Sequence, residues 1–444
     1  MLLSLLGLDA PLQRVVDAMS EHDCPRLHAM LTSEFQQQVP AAAMAGVCNA
    51  VGKITATERM PDESGRTIVR ATSATGTWKL TLGLDGDRVA GLHVTAWPTS
   101  LSSKTLPDAL REVATSAHIP GMAALAMKDG KVVAQATYGV RKLGDPTPIS
   151  PADRWHLGSD TKAMTATLAA LVVHDGKLKW TSTIGELLSD WKDVAPAYAN
   201  VTLEQLLSHR GGMPSDMPPA LWAALWKAPG AAQGRAAFLH EMLKMPPHKV
   251  GEYEYSNTGY MTAALMLERV TGGTWEALLK ERVIGPLGMT SCGYGPSASP
   301  GKVDAPWPHL VVDGTLTPMD AATGRADNPA GLGPAGTVHC SLADWARFVE
   351  EHVHGERGRA TTLPLPADAW KKLHTPIGDY ALGWGVSHRP WAHGPVLAHD
   401  GSNGMGYATV VASPADDRIF LVVANRGPEA AAEATRRIVD FLAR

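Results

Sequence analysis

The segment HLGSDTKAMTATLAALVV, residues 156–173, constrains the fold of this chain more than any other stretch. It has the length of a helix but almost no polar face, and a helix that is apolar all round must be surrounded by other elements. Near its start, Ser159 and Lys162 stand one turn apart, where the helix dipole disfavours a cation and the stacked residues are apolar. The segment therefore predicts a central buried helix that carries an amine in an unusual place.

The chain has 444 residues, a net charge of −4, 45% hydrophobic residues and 19% charged residues. Its length predicts two or three domains, and its composition is typical of a globular protein. Lys and Arg are not clustered, which argues against a nucleic-acid partner. No apolar run approaches the roughly 20 residues of a membrane helix. The start, MLLSLLGLDA, lacks a basic region and is either the remnant of a trimmed signal peptide or the first helix.

The cysteines leave the compartment open. Cys24, Cys48, Cys292 and Cys340 show neither CxxC pairs nor zinc-ligand spacing, so we expect no metal site. Cys24 and Cys48 are candidates for a disulfide if the protein is exported, and two buried thiols are the alternative.

The hydrophobic periodicity divides the chain into two units. Residues 12–31 follow a helical period, and the segments after them alternate with a period of two, with the turn LDGD before the last strand. The stretch PTSLSSK, residues 98–104, is rich in Pro and Ser and predicts a linker. We therefore expect a small α+β domain over residues 1–97 and a larger domain over residues 105–444.

The larger unit has strands at both ends and a helical middle. A helix over 106–117 precedes GMAALAMKDGKVVAQATYG, which predicts two strands around an Asp-Gly turn. The end returns to strands in HDGSNGMGYATVVAS and DRIFLVVANR, followed by an amphipathic helix over 428–443. Such an arrangement predicts one antiparallel sheet whose two halves meet in space.

Ser159 and Lys162 are spaced as a nucleophile and its base. At positions i and i+3 they share a helix face. Burial lowers the pKa of a lysine, so a neutral amine can take the serine proton. The alternative is that Ser159 caps the helix while Lys162 extends to solvent. Two other Ser-x-x-Lys matches, at residues 189–192 and 299–302, are followed by polar loops that contain proline.

Tyr255 and Asn257, in GEYEYSNTGY, precede a second apolar helix. A phenol can relay protons once neighbouring cations favour its ionised form. An amide can hold both Lys162 and a substrate carbonyl. A turn with a packed aromatic ring is the alternative, and residues 198–200 also match Tyr-x-Asn.

His399 and Gly401, in LAHDGSNGMGYATVV, lie where we expect a strand to begin at the edge of a cleft. The backbone N–H of Ser402 is a candidate to form an oxyanion hole with that of Ser159. The alternative for His399 is a surface histidine. Residues 174–176 and 209–211 also match His-x-Gly, but neither match opens a predicted strand.

Trp222 and Trp226 stand four residues apart in PPALWAALWKAPG. They are candidates for lining an acyl pocket from a segment over the site. Packing of an inserted helix into the core is the alternative for both rings.

The order Ser-x-x-Lys, Tyr-x-Asn, His-x-Gly resembles the serine β-lactamase and penicillin-binding protein superfamily. The likeness is to class C β-lactamases, D,D-carboxypeptidases of that type and the carboxylesterases that share the fold. It runs from about residue 105 to 444 and includes VTLEQLLSHRGGMPSD, GPAGTVHCSLADWARF and YALGWGV. It implies an α+β domain with an antiparallel sheet flanked by helices and a helical subdomain. The N-terminal unit resembles the small nuclear-transport-factor-like α+β domains fused to such hydrolases.

The resemblance implies a role for each motif. Ser159 would be acylated, Lys162 would be its base, Tyr255 would move protons, and Asn257 would position the substrate and Lys162. His399 stands where many members have the lysine of Lys-Thr-Gly. The resemblance implies a small-molecule ester, amide or β-lactam substrate and no metal or organic cofactor. It favours an exported protein, periplasmic or secreted, and the compartment stays open.

One departure from the family pattern bears on the substrate. Where β-lactamases have Lys-Thr, this chain has His399-Asp400, a mostly neutral side chain beside a carboxylate that would repel an anion. This favours a neutral ester, or an amide bearing an amine, over efficient β-lactam hydrolysis. Alternation along the strand can, however, turn Asp400 away from the cleft.

Several alternatives stay open. D,D-carboxypeptidase or D-aminopeptidase action and weak β-lactamase activity are alternatives to ester hydrolysis. A penicillin-binding or peptidoglycan-sensing protein is the alternative outside enzymes. The N-terminal domain is a candidate for binding a partner, for forming a homodimer or for shaping the cleft, with passive packing as the alternative.

Overall fold

The computed structural model describes residues 10–63, 66–96 and 101–444. The chain divides into two compact units, Met1–Ser100 and Leu101–Arg444. Two predictions fall outside the described residues: the nature of the first nine residues, and the part of the linker before residue 101.

The first unit has short helices followed by an antiparallel meander, as the two periodicities predict. Its sheet has the order β1-β2-β3-β4. The interruption of the helical period is the start of α2, where the Asp23 side chain accepts the N–H of Arg26 and Pro25 occupies the first turn. The elements are α1 (Ala10–Ser20), α2 (Cys24–Ala29), α3 (Ser33–Gln38), α4 (Ala41–Val51), β1 (Ile54–Glu63), β2 (Arg66–Ser73), β3 (Gly76–Asp85) and β4 (Arg88–Ala96).

The strands of the second unit form one large sheet and smaller ribbons. They are β5 (Gly121–Lys128), β6 (Lys131–Gly139), β7 (Arg154–His156), β8 (Gly293–Tyr294), β9 (His309–Val312), β10 (Thr315–Pro318), β11 (Val338–Ser341), β12 (Gly385–Ser387), β13 (Val396–Ser402), β14 (Tyr407–Ser413) and β15 (Arg418–Ala424). The large sheet has the order β12-β13-β14-β15-β5-β6. β15 pairs with β5 in antiparallel register, with Leu421 opposite Leu125, so the two ends of the unit meet as predicted.

The helices of the second unit cover the sheet and build its middle region. They are α5 (Leu106–Ser116), α6 (Thr161–His174), α7 (Ile184–Leu187), α8 (Leu203–Leu207), α9 (Pro219–Trp226), α10 (Ala231–Met242), α11 (Asn257–Thr271), α12 (Trp275–Leu279), α13 (Gly333–Gly336), α14 (Leu342–Glu356), α15 (Ala367–His374) and α16 (Pro428–Ala443). Every residue of α6 from Thr161 to Val172 is buried, as its uniformly apolar sequence predicts.

The two faces of the large sheet pack against different helices. Alternate residues of β5 point to opposite faces. Met122 packs in the core that includes Leu110 of α5 and Ile438 of α16. Leu125 packs in the core that includes Leu168 of α6. The central helix therefore lies on one face of the sheet, and the two terminal helices of the unit lie on the other.

One strand prediction needs correction. The stretch at residues 399–411 is not a single strand that opens at His399. It contains the end of β13, a turn, and the start of β14, and His399 lies inside β13 because that strand begins at Val396. The Gly-rich segment between the two strands forms the turn of a hairpin.

One pair of cysteines is bonded and the other pair is free. Cys292 and Cys340 form a disulfide that joins the segment before β8 to β11, a pair that their spacing does not reveal. Cys24 and Cys48 are buried free thiols. Burial and the neighbouring Cys24 raise the pKa of the Cys48 thiol to about 12.

Residues 10–63, 66–96 and 101–444 lack two kinds of feature. Within them, no helix combines the length and apolar character that crossing a membrane requires. The same residues contain no group of three or more His, Cys, Asp or Glu side chains arranged to hold a metal ion.

Candidate active site

Ser159 lies in a short 3-10 turn, residues 158–160, between β7 and α6. Gly158 has a φ of +51°, and a Cβ there would overlap the backbone nitrogen of Ser402. A Cβ on Gly401 would lie 2.9 Å from the nitrogen of Ser159. The two backbone segments are therefore in contact at positions where no side chain fits, which brings the nitrogens of Ser159 and Ser402 close together.

The amine of Lys162 is buried and makes three close contacts. Nζ lies 3.0 Å from Ser159 Oγ, 2.8 Å from Asn257 Oδ1 and 2.7 Å from the carbonyl oxygen of Ala335. Burial lowers the pKa of Lys162 well below its usual value, and the charge of Asp160 offsets this in part. A neutral amine has two N–H groups, which the two carbonyl oxygens accept. Its lone pair then faces the Ser159 hydroxyl.

Tyr255 lies just before α11, whose first residue is Asn257. The Ser256 hydroxyl caps this helix by accepting the N–H of Gly259. Lys162 Nζ lies 4.8 Å from the centroid of the Tyr255 ring. The cap therefore fixes the point at which the chain enters the helix, and with it the position of the phenol beside the amine.

The protonation state of Tyr255 differs from expectation. Burial raises the pKa of Tyr255, and a hydrogen bond with Ser159 offsets the rise only in part. The prediction that neighbouring cations favour the phenolate is wrong, because burial also disfavours the charged form of Lys162. Tyr255 is therefore a neutral phenol at neutral pH.

His209 packs against the Tyr255 ring and bonds the neighbouring backbone, and sequence reasoning missed it. The N–H of Ser256 donates to His209 Nδ1 at 3.0 Å, and the His209 ring lies 4.3 Å from the Tyr255 ring. Burial lowers the pKa of His209 well below its usual value, so the ring stays neutral and Nδ1 can accept. His209 lies in LLSHRGG, part of a stretch on which the resemblance rests. The sequence indicates it only as another match to His-x-Gly.

His399 is held between two hydrogen bonds. Its Nδ1 lies 2.9 Å from the carbonyl oxygen of Asp400, and its Nε2 lies 3.1 Å from the hydroxyl of Tyr380. Because a carbonyl can only accept, Nδ1 carries the proton and Nε2 accepts from Tyr380. Burial lowers the pKa of His399 to about 3, so this ring is neutral. Tyr380, in the segment YALGWGV, is a second residue that sequence reasoning missed.

The carboxyl beside His399 is not the one that the sequence suggests. Asp400 Oδ1 accepts from Thr409, which also bonds Thr435 of α16, so the Asp400 side chain lies on the α16 face of the sheet. Asp160 Oδ1 instead lies 3.4 Å from His399 Nδ1. Burial and repulsion from Asp400 raise the pKa of Asp160 well above its usual value. From the local sequence alone, Asp160 is simply an acidic residue at the start of a helix, and nothing indicates that it faces His399.

The two predicted tryptophans belong to α9. Their rings contact each other edge to face at 6.2 Å, and Trp222 packs against the main core. Trp226 lines a cavity of about 350 Å³ together with Tyr294 and Asp327. Within the described residues, no hydrogen bond or ring contact joins either tryptophan to Ser159, and their role at an acyl pocket stays a prediction.

Known proteins resemble this chain over its second unit. The model of the Beta-lactamase family matches residues 106–444. Because this match covers well over half of its length, the chain belongs to the Beta-lactamase family.

Two curated relatives illustrate the range of the resemblance. Penicillin-binding protein 4 of Amycolatopsis lactamdurans is 26% identical over 339 residues, which are 72% of this chain and 84% of that protein. Unguisins hydrolase ungD' of Aspergillus campestris is 31% identical over 188 residues, which are 39% of this chain and 33% of that protein. This chain thus spans about a third of the length of the Aspergillus relative.

Solved structures share the fold at lower identity. The octameric penicillin-binding protein homologue from Pyrococcus abyssi has a TM-score of 0.62 and 22% identity, and the match covers 76% of each chain. SurE has a TM-score of 0.61 and 21% identity, over 76% of this chain and 75% of that chain. At these identities the likeness concerns the mixed α and β fold of the β-lactamase type.

Proposed function

We propose that this protein is a serine hydrolase that forms an acyl-enzyme on Ser159 and acts on carboxylic esters. One observation carries the proposal: the buried Lys162 amine lies 3.0 Å from Ser159 Oγ, while Asn257 and Ala335 occupy its N–H groups. A neutral amine held in this way has a lone pair directed at the serine proton, which is the requirement for a general base.

The reaction begins with proton transfer from Ser159 Oγ to Lys162 as Oγ attacks the ester carbonyl. The carbonyl oxygen becomes an oxyanion, which the N–H groups of Ser159 and Ser402 stabilise. The bond from the carbonyl carbon to the alcohol oxygen then breaks. Tyr255 donates its proton to the leaving alkoxide and recovers one from Lys162, which leaves the acyl group on Ser159.

Water completes the turnover by the reverse sequence. It loses a proton to the Lys162 and Tyr255 pair as its oxygen attacks the acyl carbon. The bond to Ser159 Oγ breaks, and Oγ recovers a proton from the same pair. Each proton taken in one half-reaction is thus returned in the other.

The preference for esters rests on the charge beside the site. His399 stands where a lysine would attract a substrate carboxylate, and burial lowers its pKa to about 3, so it carries no charge at neutral pH. A neutral ester needs no such cation. Amide hydrolysis by D,D-carboxypeptidase or D-aminopeptidase action, and weak β-lactam hydrolysis, are the nearest alternatives.

The test is a stopped-flow assay with p-nitrophenyl butyrate. We expect a burst of p-nitrophenol equal to the enzyme concentration or a steady release, either of which Ser159→Ala abolishes. Ser189→Ala, at the other Ser-x-x-Lys site, is the matched control and should retain the wild-type rate. An undiminished rate in Ser159→Ala would refute the proposal. Nitrocefin and D-alanyl peptides, assayed in parallel, test the alternative substrates.

A second candidate is a penicillin-binding or peptidoglycan-sensing protein that is acylated but hardly turns over. The similarity to penicillin-binding protein 4 over 72% of this chain favours it. Intact mass after exposure to a labelled penicillin separates the two functions. An adduct on Ser159 that persists for hours, together with no ester turnover, would favour the sensor.

For the N-terminal unit we propose a nuclear-transport-factor-like fold and a role in homodimer formation. The helices α1–α4 followed by the four-stranded meander support the fold, because a curved sheet packed on short helices defines such domains. Light scattering on the full chain, with cross-linking mapped by mass spectrometry, tests the dimer. A monomeric mass, or cross-links confined to residues 101–444, would exclude this role.

A further inference from the structure

Asp160 is a buried carboxyl that the proposed reaction does not use. Its side chain is 1% exposed, and it directly follows Ser159 in the chain. Neither of its oxygens has a hydrogen-bond partner among the described residues. Burying a carboxyl without partners is costly, and such a group in a native structure calls for an explanation.

The groups that face Asp160 come from three elements. On β13, His399 Nδ1 lies 3.4 Å from Asp160 Oδ1, and Asp400 repels the carboxylate from the same strand. On β14, burial raises the pKa of Tyr407, and the charges of Asp400 and Asp160 add to the rise. On α6, Lys162 attracts the carboxylate, although burial holds that amine largely neutral.

Asp160 and His399 therefore act as one electrostatic unit. One proton can be carried either by the Asp160 carboxyl or by Nε2 of His399, in addition to the proton fixed on Nδ1. When that proton is present, the net charge of the pair is zero, whichever residue carries it. When the pair loses this proton, its net charge is −1. In neither state does it present the net positive charge that a lysine would, and the low effective dielectric of the site strengthens its effect.

We propose that Asp160, paired with His399, sets the charge preference of this site, which accepts esters that bear an ammonium group and rejects esters that bear a carboxylate. The inference rests on the proposed function, since it names the substrate class of the same site. A cation near Ser159 lies beside a carboxyl that can ionise in response to it, whereas an anion meets either no charge or a like charge.

Three acetate esters of matched size test the proposal. Their alcohols end in trimethylammonium (acetylcholine), tert-butyl (3,3-dimethylbutyl acetate) or carboxylate (3-acetoxypropanoate). We expect wild-type kcat/KM to be highest for the cation and lowest for the anion. Asp160→Asn should lower the ratio of cation to anion about tenfold, the size expected for losing one nearby charge. The neutral ester should change by less than the ratio does.

Asp400→Asn is the matched control, because it removes a carboxyl from the other face of the same strand and with it the repulsion that raises the pKa of Asp160. It should keep or raise the ratio of cation to anion, since it favours the ionised form of Asp160. His399→Lys should reverse the preference. An unchanged ratio in Asp160→Asn, or an equal fall in Asp400→Asn, would overturn the inference, as would a wild-type preference for the anion.

Two further measurements test the inference even if the Asp160→Asn variant is unstable or the protein does not hydrolyse esters. If Asp160→Asn does not fold, the smaller substitution Asp160→Ser decides. Its ratio of cation to anion should fall about as far, and an unchanged ratio would contradict the inference. Ser159→Ala titrated with acetylcholine and 3-acetoxypropanoate gives Kd values without hydrolysis. A cation preference there, with no ester turnover in wild type, would sink the proposed function and leave the role of Asp160 intact.

Discussion

The hydroxyl of Tyr380 lies 3.1 Å from Nε2 of His399, so the segment between α15 and β12 holds a ring that projects from β13. Burial raises the pKa of Tyr380 well above its usual value, so the hydroxyl keeps its proton and donates it. Together with the Asp400 carbonyl on Nδ1, this hydrogen bond fixes both the orientation and the tautomer of His399.

Removing this hydroxyl should loosen His399 without unfolding the protein. We expect Tyr380→Phe to lower kcat/KM for a neutral ester by about threefold to tenfold, the value of one neutral hydrogen bond. Tyr253→Phe is the control, because the Tyr253 ring contacts the Tyr380 ring but is about half exposed. Steady-state kinetics on both variants provide the check, and equal losses would show that His399 needs no support from Tyr380.

The buried amine of Lys162 should make stability rise with pH. Its pKa is lowered in the folded state, so at neutral pH unfolding takes up a proton and is favoured by it. This penalty disappears as the pH approaches about 10.4, the ordinary lysine pKa. The wild-type free energy of unfolding should therefore increase by up to about 1.4 kcal/mol per pH unit from this group.

Urea denaturation at pH 7 to 9.5 measures this slope. Lys162→Met should lack the increase, because it removes the amine that titrates. Lys192→Met should retain it, since Lys192 occupies the other Ser-x-x-Lys match with its amine on the carbonyl oxygen of Ser189 at an exposed site. Identical slopes for wild type and Lys162→Met would show that the amine is charged in the folded protein.

Ester hydrolysis should have an acid limb that belongs to Lys162. The amine must be unprotonated to take the serine proton, so kcat/KM should fall as the pH drops through its lowered pKa. His399, with a pKa lowered to about 3, should not titrate in this range. The limb should therefore persist in His399→Asn, measured from pH 5 to 9. Its loss in that variant would assign the limb to the histidine.

Gly158→Ala should inactivate the protein by separating two backbone segments. The added methyl group would overlap the nitrogen of Ser402, and the positive φ of Gly158 disfavours any side chain. Gly176→Ala is the matched control, because Gly176 has a φ of +73° and no atom within 4 Å of its would-be Cβ. Both variants should lose about 1–2 kcal/mol of stability from backbone strain. Titration with a fluorophosphonate should label Ser159 slowly in the first variant and at the wild-type rate in the second.

The Cys292–Cys340 bridge should stabilise the second unit. The two residues are 48 apart in the chain, and closing a loop of that length typically contributes about 2–4 kcal/mol. Cys340→Ser should therefore lower Tm, whereas Cys24→Ser, at a buried free thiol, should not remove a cross-link. Thiol titration of the unreduced, denatured protein should find the two free thiols of Cys24 and Cys48. Four reactive thiols would contradict the bridge.

Several elements could be predicted because their signals are local. The helix that became α6 has apolar residues on every side, so any fold of this chain must bury it. The meander β1–β4 alternates with period two, and Pro25 sits where α2 begins. The meeting of β5 and β15 followed from strands at both ends of the larger unit.

The contacts around the candidate site could not be predicted in the same way. Asp160 and His399 are far apart in the chain and meet because β13 packs on the turn that carries Ser159. His209 and Tyr380 reach Tyr255 and His399 through packing between loops. The sequence also suggested Asp400 as the neighbour of His399, but strand alternation turns that side chain to the other face of the sheet.

The sequence by itself determined most of the helices and strands, which helix is buried, and which serine has a lysine one turn away. Those properties depend on residues within a few positions of one another, because helical and strand periods repeat over that distance. Only the tertiary structure decided which carboxyl faces His399, which tyrosine bonds it, and which cysteines pair. Those contacts depend on how distant segments register and pack, and no short stretch of sequence contains that information.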